Sequence, residues 1–190
     1  MKKISIEPSL IFFPQPIYII GTKNADGSPN FGTITWLEVT VDNTPHIVMT
    51  IGGNKQTRIN LLRENKFPAN LVSQDMIWLA DYLGSTTGTS GKKDKVKYDY
   101  TWNEDQNIPM LEQSRWIYEC NVRKVIELNG SHLFISEIEN IQIDEALENI
   151  DFSKVDLNKL DPAIYAPFNY YAIGNKIGNR GDWMKYLKSF

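Results

Sequence analysis

The chain has 190 residues, and its 42% hydrophobic and 23% charged side chains are typical of a folded globular protein. Its net charge of -3 argues against a protein that neutralises nucleic-acid phosphates, and its single cysteine excludes an intramolecular disulfide framework. The N-terminal residues show no secretory signal pattern, and no apolar run approaches a membrane span. We therefore expect a single domain over residues 1–190, in a cytoplasmic protein with no nucleic-acid or membrane partner.

The first half of the chain predicts short strands and two modest helices. In chain order, the predicted elements are strands at 17–22, 31–41 and 45–51, a helix from 54 to about 65, a strand at 67–73 and a helix at 75–83. The first helix is expected to direct Ile59 and Leu62 toward the core. The second helix is expected to carry Met76, Leu79 and Tyr82 on one side.

The second half predicts a flexible loop, a long hairpin and an aromatic tail. The glycine-rich and hydroxyl-rich run at 84–91 predicts the loop, and a basic patch at 92–97 follows it. Two long strands at 115–128 and 131–143 are joined by Asn129-Gly130, a typical hairpin turn. Many strands without a repeated strand-helix-strand rhythm favour an antiparallel barrel or sandwich over a doubly wound sheet.

The charges at the start of the first helix are unusual. Gly52 and Gly53 allow a sharp turn, and Asn54 is a good N-cap. Lys55 and Arg58 then occupy the first turn without an acidic residue, although the positive end of the helix dipole disfavours cations there. A bound phosphate would reverse this preference, whereas a solvated helix start would need no ligand. This stretch alone fits both interpretations.

Several other kinds of site lack the residues they need. His46, His132 and Cys120 cannot supply the close set of ligands of a structural zinc site, so we expect no metal. The loop at 84–92 fails the phosphate-loop spacing, because Thr86 stands where the first glycine belongs and Lys93 where the hydroxyl belongs. No dinucleotide-binding glycine fingerprint follows a strand, and no nucleophile elbow occurs.

Several short segments carry a resemblance when they are taken together and in order. They are PIYIIGT at 16–22, TITW at 33–36, PHIVM at 45–49, KQTRIN at 55–60, FPANLVS at 67–73, SGKKDK at 90–95 and YAIG at 171–174. This order resembles the flavin reductase-like family, which includes flavoredoxin, over roughly residues 14–178. The resemblance implies a mainly β fold, an FMN-binding split β-barrel of antiparallel, Greek-key type with a few helices. It also implies a homodimer.

The same resemblance implies which residues contact FMN. They are Thr33, Ile34, Thr35, Trp36, Met49, Thr50, Ile51, Gly52, Lys55, Gln56, Thr57, Arg58, Asn70, Leu71 and Lys95. Residues 55–58 would hold the phosphate, whereas 33–36 and 49–52 would line the ring and the ribityl chain. Asn70 and Leu71 would lie beside the phosphate or ring, and Lys95 would cover the site or meet a second nucleotide. His132 becomes the candidate catalytic residue, beside the flavin or a nicotinamide.

The resemblance implies an NAD(P)H-dependent reductase of flavin or of a small electron acceptor. NADH or NADPH would transfer a hydride from nicotinamide C4 to flavin N5, and the protein would supply orientation and electrostatics. One alternative is a non-enzymatic electron carrier, which holds FMN and exchanges electrons with a partner protein. Another is a split-barrel module that binds a different phosphate-bearing ligand.

Overall fold

The computed structural model describes residues 3–5, 7–8, 14–40, 43–86, 96–103, 105, 107–147 and 155–182. The strands are β1 Gln15–Pro16, β2 Tyr18–Lys23, β3 Pro29–Ile34, β4 Leu37–Thr40, β5 His46–Gly52, β6 Lys66–Leu71, β7 Tyr100–Asn103, β8 Ile108–Leu111, β9 Trp116–Leu128, β10 Ser131–Ile143, β11 Ala163–Ala166 and β12 Asn169–Ala172. The helices are α1 Gln56–Glu64, α2 Ile77–Ser85 and α3 Leu157–Leu160, with 3₁₀ turns at Gln74–Met76 and Glu145–Leu147. Across these described ranges, no helix has the length and hydropathy needed to cross a membrane.

The main sheet closes on itself. Seven antiparallel strands follow the order β3-β2-β6-β9-β10-β5-β4, so β3 and β4 lie at opposite edges. Only Thr35 and Trp36 separate these two strands in the chain. A flat sheet would hold its edges about 29 Å apart at roughly 4.8 Å per strand, whereas two linking residues span at most about 11 Å. The sheet must therefore curl into a barrel whose edges approach each other at this link.

The apolar run at the start of the chain is buried on both faces. Tyr18 and Ile20 belong to the core cluster that includes Phe134, whereas Ile17 and Ile19 belong to a second cluster formed with α2. Successive residues of a strand point to opposite faces, so β2 supplies both cores. This explains why the run is fully apolar rather than alternating.

The single strand expected at 31–41 is two strands. Ile34 and Leu37 are both buried, at 8% and 6% exposure, although an uninterrupted strand would point residues three apart to opposite faces. The change of phase occurs at the bend of Thr35 and Trp36, where the chain crosses from one sheet edge to the other. The short link forces this change of phase. A strand prediction based on β-propensity cannot detect it, because the residues on both sides of the bend favour strands.

The buried face of α1 is also different from the prediction. The expected core residues Ile59 and Leu62 are 40% and 46% exposed, whereas Thr57, Asn60 and Leu61 are buried. The helix therefore buries a largely polar face, which apolar periodicity cannot reveal.

A hydrogen-bond network explains this orientation of α1. The Asn60 Nδ2 atom donates to Thr22 Oγ1 at 3.0 Å and to Asn24 Oδ1 at 2.9 Å. Asn30 Nδ2 donates to Thr57 Oγ1 at 3.2 Å. Because each buried amide has partners, burying this polar face does not leave groups without hydrogen bonds.

The predictions for the second half of the chain have different outcomes. The hairpin of β9 and β10 is confirmed, with Gly130 in the left-handed region at φ 81°. The expected loop from residue 84 begins later, because Gly84 and Ser85 form the end of α2. Residues 87–95, which include most of that loop and most of the basic patch, lie outside the described residues. The sequence interpretation missed the β7–β8 hairpin.

Glu119 is a buried carboxylate that joins several strands. It is 1% exposed on β9, and its oxygens accept hydrogen bonds from Asn103 Nδ2 at 3.0 Å and Asn140 Nδ2 at 3.1 Å. Gln142 Nε2 also donates to it. These amides satisfy the carboxylate, which links β7 to the β9–β10 hairpin. Glu119 therefore has a structural role in the described fold.

Candidate functional site

The chain turns sharply between β5 and α1. Gly53 has φ 68°, a left-handed conformation that glycine adopts without steric cost, and its amide donates to the Gly130 carbonyl at 3.1 Å. Lys55, rather than Asn54, is the N-cap of α1. The Ile59 amide donates to the Lys55 carbonyl at 3.2 Å, which leaves the preceding helical amides without a carbonyl partner inside the helix.

The bend between β3 and β4 is fixed on both sides. The Thr50 amide donates to the Trp36 carbonyl at 3.0 Å, which holds the bend against β5. The Thr33 hydroxyl donates to the Ala80 carbonyl at 2.7 Å, which holds the end of β3 against α2. These contacts hold the strand link of the barrel against β5 and α2.

A cavity of about 580 Å³ lies at this bend. Its lining includes residues 33–36 of the bend, 50–52 of β5 and Lys55 at the start of α1. The exposed Lys55 ammonium and the N-terminus of α1 give this part of the lining a positive charge. The cavity therefore combines an anion-attracting helix start with the apolar surface of Ile34, Ile51 and the Trp36 ring.

Another part of the lining comes from α2 and from the β11–β12 hairpin. Asp81, Gly84 and Ser85 contribute from α2, and Tyr165, Phe168 and Tyr170 contribute from the hairpin. These positions give this wall three aromatic rings and one carboxylate.

A hydrogen bond fixes the hairpin to α2. The Tyr170 hydroxyl donates to Asp81 Oδ1 at 2.7 Å. Desolvation, followed by the hydrogen bond and charge of Asp81, raises the pKa of Tyr170 above its usual value. The hydroxyl therefore stays protonated, and able to donate, throughout the pH range in which free tyrosine is neutral.

The sequence matches the flavin reductase like domain over residues 10–174, which is most of the chain. The protein belongs to the flavin reductase-like family. The resemblance found in the sequence is thus confirmed. None of the curated proteins compared with the sequence gives a significant match.

Solved structures with similar folds include three from different organisms. Flavoredoxin from Methanosarcina acetivorans has a TM-score of 0.86 at 22% identity, covering 98% of this chain and 100% of its own. An FMN-binding protein from Thermus thermophilus with bound p-hydroxybenzaldehyde has a TM-score of 0.77 at 17% identity, covering 94% and 99%. A putative flavin reductase with a split barrel domain from Shewanella frigidimarina NCIMB 400 has a TM-score of 0.77 at 20% identity, covering 87% and 85%. These similarities confirm the predicted split β-barrel fold.

The flavin reductase-like fold brings together about half of the residues implied for FMN binding. Those on the cavity lining are Thr33, Ile34, Thr35, Trp36, Thr50, Ile51, Gly52 and Lys55. They come from three separate segments, which meet because the bend, the end of β5 and the start of α1 are adjacent in the barrel. Their contact with a flavin stays a prediction.

Four other implied residues of the flavin reductase-like domain lie outside this lining. Met49 is fully buried in the barrel core, and Thr57 is 3% exposed with its hydroxyl accepting from Asn30. Gln56 Nε2 donates to Asn60 Oδ1 at 2.8 Å, in the network below α1. Arg58 is partly exposed on α1. Of the implied phosphate residues 55–58, all of them described, Lys55 lines the cavity and the other three do not.

Asn70 and Leu71 are also absent from the cavity lining. Asn70 is fully buried, with Nδ2 donating to the Ile19 carbonyl at 2.7 Å and Oδ1 accepting from the Leu111 amide at 2.9 Å. Leu71 packs on the barrel core.

Two further residues implied by the resemblance, His132 and Lys95, are not found on the described lining. His132 lies on β10 opposite Ile51, and its ring stacks on that of Phe134 with centroids 6.2 Å apart. It lies on the strand next to β5 and is not among the residues that line the cavity. Lys95 lies outside the described residues.

The sequence interpretation missed the part of the lining that comes from α2. A signal was present, because Asp81, Gly84 and Ser85 recur at i, i+3 and i+4 and form a polar, small-residue stripe on one helix face. Tyr165, Phe168 and Tyr170, which belong to the part of the chain that the sequence predicted only as an aromatic tail, also line the cavity.

Proposed function

We propose that this flavin reductase-like protein binds FMN in the cavity at the β3–β4 bend and works as an electron-transfer flavoprotein. The observation that carries the proposal is the position of Lys55, which occupies the N-cap position of α1 and lines a cavity that also has aromatic and apolar side chains. FMN has the matching chemistry, since it joins a phosphate dianion to a planar ring. The FMN-binding protein from Thermus thermophilus has the same fold.

The residues of the cavity fit FMN in size and in chemistry. Its volume of about 580 Å³ is within the range of roughly 300–1,000 Å³ that is usual for small-molecule sites. Lys55 and the first amides of α1 offer an anion site, because a helix N-terminus and an ammonium both attract phosphate. The backbone at 33–36 and 50–52 offers polar groups beside apolar side chains, which suits a ribityl chain and a ring.

The protein's own contribution is to hold and orient. When bound, FMN supplies the redox chemistry, accepting two electrons as hydride from a reduced nicotinamide. The Thr50–Trp36 and Thr33–Ala80 hydrogen bonds hold the cavity wall in place, which would help to orient a bound ring. The hairpin of β11 and β12 contributes another part of the lining through Tyr165, Phe168 and Tyr170.

We propose NADH or NADPH as the reductant, which makes the protein a reductase of flavin or of a small acceptor. The test is the visible spectrum of the FMN-loaded protein after desalting, before and after anaerobic addition of each nicotinamide. Bleaching of the flavin band by one nicotinamide supports the reductase. Retained FMN that neither nicotinamide bleaches, but dithionite does, overturns the reductase in favour of an electron carrier with a partner protein. A protein that retains no flavin contradicts both the reductase and the electron carrier. The remaining alternative is then a module that binds a different phosphate-bearing ligand.

We also propose a homodimer, in which a second copy covers the edge of β4. A groove of about 1010 Å³, lined by β1 and β4, shares Trp36 and Thr50 with the cavity, and Val39 is 39% exposed on this edge strand. An exposed edge strand with apolar side chains favours pairing or packing with another chain. A second copy would also enclose the Trp36 side of the cavity.

The mass in solution tests this arrangement. Light scattering during size exclusion should give twice the chain mass of 21.8 kDa, and Val39→Lys should shift the protein toward the monomer, because lysine on an edge opposes association. Val125→Lys is the matched control, since Val125 is similarly exposed, at 37%, on β9. A monomeric unaltered protein, or equal effects of the two substitutions, would contradict this interface.

A further inference from the structure

The tip of the β11–β12 hairpin holds an aromatic ring in an unusual position. Phe168 lines the cavity but is 89% exposed, so its ring makes little contact with the protein. Its backbone has φ 66°, in the left-handed region that glycine and asparagine occupy far more readily. Neither core packing nor turn geometry explains a phenylalanine at this position, which indicates that its ring serves a ligand.

Contacts on three sides fix this tip. The Phe168 amide donates to the Tyr165 hydroxyl at 3.1 Å, and the Tyr165 and Tyr170 rings lie 5.9 Å apart. Tyr170 in turn donates to Asp81 of α2, and β11 pairs with β1 through Gln15 and Tyr165. The ring of Phe168 is thereby carried on an anchored hairpin rather than on a free arm.

We propose that Phe168 is a specificity-determining residue, which stacks on a second planar molecule entering the flavin cavity, and that the Tyr170–Asp81 hydrogen bond is the latch that positions it. This inference rests on the proposed FMN function. The second molecule is a planar ring compound, neutral or cationic. Trp36, at 44% exposure, is a further exposed ring on the lining, and aromatic faces attract planar and cationic rings. The Asp81 carboxylate disfavours an anionic ring beside it.

The test uses oxidised, FMN-loaded protein and the planar quinone menadione as the probe. FMN binding is measured first by flavin absorbance, and menadione binding is then titrated by its effect on the flavin spectrum. We expect Phe168→Leu to weaken menadione binding about three- to tenfold, since a stacked ring pair is lost. Phe168→Trp should retain it. Tyr170→Phe, which keeps the ring but removes the latch, should weaken menadione binding while FMN stays bound.

Tyr171→Leu is the matched control, because Tyr171 is an exposed aromatic residue of the same hairpin, at 54% exposure, outside the cavity lining. Menadione affinity that is equal in the unaltered protein and in Phe168→Leu would overturn the inference alone. A larger loss of FMN than of menadione affinity would also overturn it, since Phe168 would then belong to the flavin site. Failure of the unaltered protein to bind FMN would overturn the proposed function and this inference with it.

Discussion

Replacing Gly32 with alanine should destabilise the protein and displace α1 from the cavity. A Cβ atom at Gly32 would lie 2.3 Å from Thr57 Oγ1, on the buried face of the helix. Thr57 is 3% exposed and bound to Asn30, so it has little room to move. Overpacking of this kind costs about 1–3 kcal/mol of unfolding free energy. Urea unfolding should show this loss, and FMN affinity should fall because Lys55 moves with the helix.

A double-mutant cycle identifies the cause of that loss. Thr57→Ala alone should also destabilise the protein, by about 0.5–1.5 kcal/mol, because it removes a buried hydrogen-bond partner of Asn30. In the double variant, the atom nearest to the new Cβ is absent, so the two losses should be less than additive. Gly174→Ala is the control, since its added Cβ meets no atom within 4 Å. Strictly additive losses would contradict the close approach of β3 and α1.

Lys55→Ala should weaken FMN binding about tenfold or more. The substitution removes the cation that lies on the cavity lining at the N-cap position of α1. A charge-assisted hydrogen bond contributes about 1.5–3 kcal/mol, and about 1.4 kcal/mol corresponds to a tenfold change in Kd. Quenching of flavin fluorescence on binding measures the effect. Because Lys55 is exposed and outside the core, the unfolding free energy should change little.

Two comparisons make the Lys55 result specific to phosphate. Lys124→Ala is the matched control, because Lys124 is exposed on β9 and is not part of the cavity lining. Riboflavin, which lacks the phosphate, should bind the unaltered protein and Lys55→Ala with similar affinity. An equal loss for riboflavin and FMN, or no loss for either, would contradict the phosphate role of Lys55.

The sequence predicted the barrel, for identifiable physical reasons. Strands such as β9 and β10 show strong β-propensity and are joined by Asn129-Gly130, whose turn geometry depends on local residues. The resemblance assigns 33–36 and 49–52 to the flavin ring and ribityl chain. Residues 33–36 and 50–52 meet on one cavity because the sheet closes, whereas Met49 is buried in the core. In these places, local chemistry and overall topology lead to the same answer.

The rest of the site depends on contacts between residues that are distant in sequence. The resemblance implies that Thr57 holds the phosphate, but the Thr57 hydroxyl accepts a hydrogen bond from Asn30 in a buried network. Asn70 lies in a family motif, yet its hydrogen bonds connect β2 with β8. The contact of Tyr170 with Asp81 spans 89 positions, so no local pattern could predict it.

The structure of a complex with FMN tests the central claim most directly. The claim predicts flavin density in the cavity at the β3–β4 bend, with the phosphate within hydrogen-bonding distance of Lys55 Nζ and the first amides of α1. The ring should lie along residues 33–36 and 50–52, within reach of the aromatic hairpin. Flavin bound at another place, or with its phosphate turned away from α1, would contradict the claim.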